Sequence, residues 1–67
     1  MTLEITITDD HATDLTFTLV VDNVGRIIDA THLVARQGDF ECTLDREATH
    51  ILLDEHREDI TEALAAA

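Results

Sequence analysis

Cys42 and the four histidines are the residues of this sequence that could supply a nucleophile–base pair or, together with an acid, a metal site. A thiolate paired with a histidine can attack an electrophile, and a histidine–cysteine set can hold zinc. The spacing fits neither site, because there is no Cys-x-x-Cys pair and no two histidines lie one helical turn apart. The four histidines are His11, His32, His50 and His56. We therefore expect no catalytic residue, no metal and no cofactor.

Two of these residues can be placed on predicted elements. Cys42 alternates with Phe40 and Leu44 along a short predicted strand, which puts its thiol on the inward face, where a thiol is inert. His56 lies at the centre of the apolar stripe of a predicted helix. We interpret it as a neutral core histidine bonded to a backbone carbonyl; the alternative is a pH-sensitive element. A His/Cys metal-binding protein remains the second alternative function.

Negative charge dominates the composition. Fifteen acids face four arginines and no lysine, and the formal net charge is −11. Such a chain repels nucleic acid and anionic membrane surfaces, so we expect it to bind neither directly and to be attracted to a basic protein surface. It is not a disordered acidic tail, because 45% of its residues are hydrophobic and they alternate regularly.

The acids concentrate in the segment LLDEHREDITEAL, residues 52–64. Like charges one turn apart weaken a helix, and this row costs about 1 kcal/mol in total. Asp54, Glu58 and Glu62 form a row with about 6 Å of rise between neighbours, which is of the order of the spacing between phosphates. We predict a partner-binding site, here called the acidic ridge, made of Glu47, Asp54, Glu55, Glu58 and Glu62.

Ile51 lies within the acidic ridge on the helical wheel, about 140° from the centre of the apolar stripe. An exposed isoleucine with a charged surround is typical of an interface anchor. The alternative is that the helix begins later or that a loop covers Ile51.

Four segments alternate with the period of a half-buried strand, namely 2–8, 15–21, 26–35 and 40–44. The inward residues of the first two are Leu3, Ile5, Ile7, Leu15, Phe17, Leu19 and Val21. In the third segment the alternation is blurred by adjacent apolar residues, which indicates a bulge or burial on both faces.

The hydrophobic period changes to 3.6 at Asp45, which suits an N-cap. We predict one helix over 45–66. Its core-facing stripe is Thr49, Leu52, Leu53, His56, Ile60, Ala63, Leu64 and Ala67. The alternative is a capping box at Asp59 and Glu62 that starts a short separate helix, with 49–54 as a strand.

The predicted fold is α+β, a single domain over 1–67: a three- to four-stranded antiparallel meander with one C-terminal helix packed on one face. A chain this short builds a thin core, so a homodimer that covers an apolar edge or face would fit. One cysteine, no signal-like N-terminus and no segment of membrane-spanning length favour the cytoplasm.

In size, charge and predicted fold the chain resembles small phage-encoded inhibitors of host defence, some of which act as DNA mimics against restriction or CRISPR complexes. The resemblance implies a non-enzymatic module that occupies the basic nucleic-acid-binding surface of another protein, in the host cytoplasm. The alternative is a small halophilic or housekeeping domain whose acidity serves solvation. Halophilic charge should be spread evenly, as the turn aspartates suggest, whereas a mimic should cluster it, as the acidic ridge does.

Overall fold

A four-stranded antiparallel sheet carries two helices in the computed structural model, which describes residues 1–66. The strands are β1 (Thr2–Thr8), β2 (Asp14–Val21), β3 (Ile27–Gln37) and β4 (Phe40–Leu44), in the spatial order β1-β2-β3-β4. The helices are α1 (Arg46–Glu55) and α2 (Arg57–Ala66). The predicted α+β class and antiparallel meander are confirmed.

The β1–β2 hairpin follows the predicted alternation. Ile5 and Phe17 are directly opposite each other, and both are buried against the helices. The outward residues at the centre of the hairpin are threonines, and the hydroxyls of Thr6 and Thr16 lie 3.0 Å apart. The period of two therefore decided which face of this hairpin enters the core.

Two bulges explain the blurred pattern of β3. Thr18 pairs with His32 while Leu19 pairs with Ala30, so Thr31 is an extra residue. A second register shift, between Val20 and Val21, leaves Ile28 unpaired and 64% exposed. Each bulge shifts the alternation by one residue, and the extra residue Thr31 lets Ala30 and Leu33, three positions apart, both face the core.

The predicted single helix over 45–66 is wrong in one respect, because it is broken at His56. This residue caps α1 with φ −113° and ψ 19°, and α2 starts immediately after it. α1 contacts β3 whereas α2 contacts β1, so the break redirects the chain as it crosses the twisted sheet. Residues 49–54 are helical, which excludes the alternative strand, and Ala67 lies outside the described residues.

Phe40 and Cys42 were predicted to be buried, and this prediction is wrong. Their pairing partners in β3, Gln37 and Ala35, place them on the helix-facing side of the sheet, as expected. However, α1 begins only after β4 ends and packs on β3, so it covers little of β4 beyond Leu44. Phe40 is consequently 85% exposed, and Cys42 is exposed as well.

The core lies between the sheet and the two helices. Phe17, Leu19 and Leu33 from the sheet and Ile60 from α2 are fully buried, together with Thr49 of α1. The Thr49 hydroxyl is satisfied inside the core by the Asp45 carbonyl at 2.6 Å. Within the described part of the chain, no helix is long and apolar enough to cross a membrane.

Candidate protein-binding site

The acidic ridge lies on the solvent side of α1 and α2. Glu47, Asp54 and Glu55 are exposed on α1, and Glu58 and Glu62 are exposed on α2. Asp45 sets the start of α1, since its Oδ1 accepts the Ala48 N–H at 2.9 Å. The structure therefore presents all five carboxylates of the ridge to solvent on two consecutive helices.

The break at His56 changes the predicted spacing of the row Asp54, Glu58 and Glu62. Helical hydrogen bonds persist on both sides of the break, from the His56 N–H to the Leu52 carbonyl and from the Ile60 N–H to the His56 carbonyl, each 3.0 Å. Only Glu58 and Glu62 share one regular helix, so only this pair keeps a regular rise of about 6 Å.

Positive charge hardly neutralises the ridge. Arg57 forms an ion pair with Asp54 at 3.0 Å. The other three arginines pair with acids elsewhere, namely Arg26 with Asp22, Arg36 with Glu41 and Arg46 with Asp29. Within residues 1–66, the four glutamates of the ridge form no ion pair, which leaves a surface with a net negative field.

Ile51 lies within α1 and is 57% exposed. The helix begins at Arg46, so a later start does not account for this exposure, and none of the described segments covers the side chain. The structure thus places an exposed apolar side chain among the acids of the ridge, as the sequence predicted. A role for Ile51 as an anchor stays a prediction.

Several acids outside the ridge hold the local backbone, which the ridge glutamates do not. Asp9 accepts the N–H groups of His11 and Thr13 at 2.8 and 2.9 Å. Asp22 accepts those of Val24 and Arg26 at 3.0 and 2.9 Å. Such short polar side chains satisfy the backbone of a tight turn. Asp9 and Asp22 are therefore accounted for by the fold, and these two aspartates are not evidence for a charge that serves only solvation.

These hydrogen bonds lower the pKa of both turn aspartates. For Asp9 the Thr13 N–H is the main cause; partial burial opposes it, and the His11 N–H and the charges of His11 and His56 add to it. For Asp22 the Arg26 N–H is the main cause, again opposed by burial, with smaller contributions from the Val24 and Gly25 N–H groups and the Arg26 side chain. Each N–H group donates a hydrogen bond to the ionised carboxylate, and this favours ionisation.

We expect the turn aspartates to make stability depend on acid pH. Because their folded pKa values lie below the ordinary 3.8, their contribution is fully present above that pH. It is lost as pH falls through the lower folded values. Denaturant unfolding followed by circular dichroism between neutral pH and strong acid should show this loss.

The variant that tests this prediction is Asp22→Asn, which keeps an acceptor oxygen in the turn but cannot titrate, and its control is Asp39→Asn. The variant should flatten the acid limb of the stability curve. Asp39→Asn, at a position that accepts no hydrogen bond within residues 1–66, should leave that limb unchanged. Equal effects of the two substitutions would contradict the assignment.

Asp29, Arg46 and His50 form a polar cluster that the sequence pattern did not reveal. Asp29 Oδ2 accepts from the Arg46 guanidinium at 2.8 Å, and its Oδ1 lies 3.1 Å from His50 Nε2. Burial alone would raise the pKa of Asp29, but the bonds from His50 and the Ala30 N–H and the charge of Arg46 lower it. The cluster links β3 to α1 and has a structural role. In the sequence, the blurred alternation of segment 26–35 was the one sign that this region is irregular.

The remaining histidines lie in two separate places. His32 lies between the hydroxyls of Thr18 and Thr31 on the open face of the sheet. His56 is half-buried at the helix break and lines a cleft with His11 of the β1–β2 turn. No group of three or more metal-ligating side chains occurs among residues 1–66.

The exposure of Cys42 predicts that it reacts in the native protein. An aromatic disulfide reagent should modify the thiol about as fast without denaturant as with it, because no packing shields the sulfur. Cys42→Ala should change the free energy of unfolding by less than about 0.5 kcal/mol, as for other exposed positions. A thiol that reacts only after unfolding would contradict the exposed position.

Comparison with known proteins adds no identification, since no family model, curated protein or solved structure matches this chain.

Proposed function

We propose that the protein is a small, non-enzymatic binding module that occupies a basic nucleic-acid-binding surface of another protein. It would act in the cytoplasm, and in the host cytoplasm if it is encoded by a phage, as a DNA mimic of the anti-CRISPR or anti-restriction type. The acidic ridge and Ile51 form its contact surface. Neither a nucleic acid nor a membrane is a direct partner.

One observation carries this proposal: the four glutamates of the ridge are exposed and lack ion pairs within residues 1–66, and the exposed Ile51 lies one helical turn from two of them, Glu47 and Glu55. A solvated helix face normally mixes charges of both signs. Here like charges one turn apart weaken the helix by a few tenths of a kcal/mol per pair. A basic partner would offset that repulsion and provide the counter-charges that the fold does not.

A binding and competition experiment tests the proposal. The immobilised protein should capture a nucleic-acid-binding protein from a lysate, and duplex DNA should compete with it for that partner. The complex should weaken steeply between about 0.1 and 1 M salt, where the screening length falls from about 10 to 3 Å. Capture that neither DNA nor salt affects would overturn the proposal.

Ile51→Ala should weaken the complex by about 1–2 kcal/mol, which is about 5- to 30-fold in affinity, because an apolar anchor loses its desolvated contact. The matched control is Ile28→Ala, since Ile28 is also exposed, at 64%, but lies on β3 away from the ridge. Both variants should keep the stability of the native protein. Titration calorimetry with the captured partner measures the difference, and equal affinities would remove Ile51 from the site.

A further inference from the structure

β1 is an edge strand, and half of its backbone groups point away from the sheet. Met1 and Val21 exchange backbone hydrogen bonds of 3.1 and 2.8 Å at the start of the β1–β2 ladder. Hydrogen-bonded and non-hydrogen-bonded pairs alternate along an antiparallel ladder, so this pair determines the orientation of every later residue. The residues whose backbone N–H and C=O groups point away from β2 are Thr2, Glu4, Thr6 and Thr8.

Within residues 1–66, no backbone group of a turn, loop or helix bonds to these outward groups. Soluble proteins usually protect a sheet edge with lysine, proline, a bulge or a very short strand. β1 has none of these: it is seven residues long, its register with β2 is continuous, and Glu4 is its only charged residue. The other edge strand, β4, is shorter at five residues.

We propose that β1 pairs with β1 of a second copy of this chain, antiparallel and centred on Ile5. In this register Thr2 lies opposite Thr8 of the second copy, Glu4 opposite Thr6, and Ile5 opposite Ile5. The outward backbone groups of the two strands then face one another in four hydrogen-bonded pairs, which follow from the orientation set by Met1 and Val21.

The neighbouring registers are poorer. A shift by two residues in one direction places Glu4 directly opposite Glu4, and like charges opposite each other are destabilising. A shift by two in the other direction leaves Thr2 without a partner. A shift by one residue aligns outward backbone groups with groups that already bond to β2. The sequence of β1 is therefore self-complementary in one register.

Side-chain burial supports the same arrangement. Leu3 and Ile7 are only half-buried in the single chain, although both point toward the helices. The proposed register sets Leu3 of one copy beside Ile7 of the other, which covers the exposed parts of both. The resulting continuous eight-stranded sheet carries both helix layers on the same face, since opposite residues in a ladder share a face.

Charge gives this dimer a salt dependence opposite to that of partner binding. Each copy carries a formal charge of −11, so two copies repel each other at low ionic strength. Screening reduces that repulsion, while the backbone hydrogen bonds and apolar contacts persist. Dimerisation should therefore strengthen with added salt, whereas a complex with a basic partner should weaken.

Analytical ultracentrifugation over a range from low micromolar to millimolar protein tests the proposal, at low and at high salt. We expect the 7.4 kDa mass to double with concentration, and at lower concentration when salt is added. Thr6→Asp places a carboxylate opposite Glu4 of the second copy and should abolish the dimer. Glu4→Thr removes a charge from the edge and should lower the dissociation constant.

Circular dichroism should show that both variants keep the fold, because Thr6 and Glu4 are exposed and face solvent on the open side of the sheet. If Thr6→Asp fails to fold, Glu4→Thr alone still tests the proposal, because it should lower the dissociation constant of the dimer and misfolding would not. A protein that stays monomeric at millimolar concentration in high salt would overturn the proposal. So would dimers that neither substitution affects.

Discussion

Changing both Glu58 and Glu62 to lysine is expected to abolish binding to the basic partner, with a loss of at least about 3 kcal/mol, or more than a hundredfold in affinity. These two residues share α2, are exposed and form no ion pair within residues 1–66. The reversal replaces two attractions with two repulsions at the proposed interface. The fold should be kept, because both side chains are exposed and substitutions at exposed positions usually change the free energy of unfolding by no more than about 0.5 kcal/mol.

The matched control is the double reversal of Asp10 and Asp39 to lysine. Both are exposed, both lie in turns outside the ridge, and the total change in charge is the same. Asp9 and Asp22 are unsuitable controls, because their carboxylates hold the turns together. Titration calorimetry at fixed salt should show a large loss for the helix variant and a small one for the turn variant.

Three other outcomes of this experiment are informative. If the turn variant loses binding and the helix variant does not, charge matters but the ridge is the wrong face. If both lose binding equally, the net charge is responsible and no ridge exists. If neither changes binding, and both lose solubility or folding only at high salt, the acidity serves solvation, as the halophilic alternative holds.

Phe17→Ala is expected to leave the protein largely unfolded at room temperature. Phe17 is fully buried and lies between Ile5 and Leu33 on the sheet. Removing a buried phenylalanine ring costs about 3–5 kcal/mol. The single core of a domain with fewer than about 70–80 residues rarely supplies more than about 3–5 kcal/mol of net stability. Denaturant unfolding followed by circular dichroism should show a midpoint near zero denaturant.

Phe40→Ala is the matched control, because Phe40 is the other phenylalanine of the chain and is 85% exposed. Its free energy of unfolding should differ from that of the native protein by no more than about 0.5 kcal/mol. A cost for Phe40→Ala comparable to that for Phe17→Ala would mean that Phe40 is covered in solution. The exposed position of β4 would then be wrong, or a second molecule would cover it.

The pattern of residues was sufficient where each position depends on its near neighbours. The period of two in β1 and β2 predicted which side chains face the core, and Ile5, Leu15, Phe17 and Leu19 are buried there. The change of period at Asp45 predicted the start of α1, since an N-cap depends on the next few residues only. The exposure of Ile51 likewise followed from its angle on the helix.

Sequence alone determined the local elements, the inward and outward faces of β1 and β2, and the charge of the chain. Three features depend on how the elements pack together: the break at His56, the exposure of Phe40 and Cys42, and the cluster of Asp29 with Arg46 and His50. The period of a segment specifies a face, but burial requires another element to cover that face. Which part of the sheet α1 and α2 cover depends on how they cross it, and that geometry belongs to the whole fold.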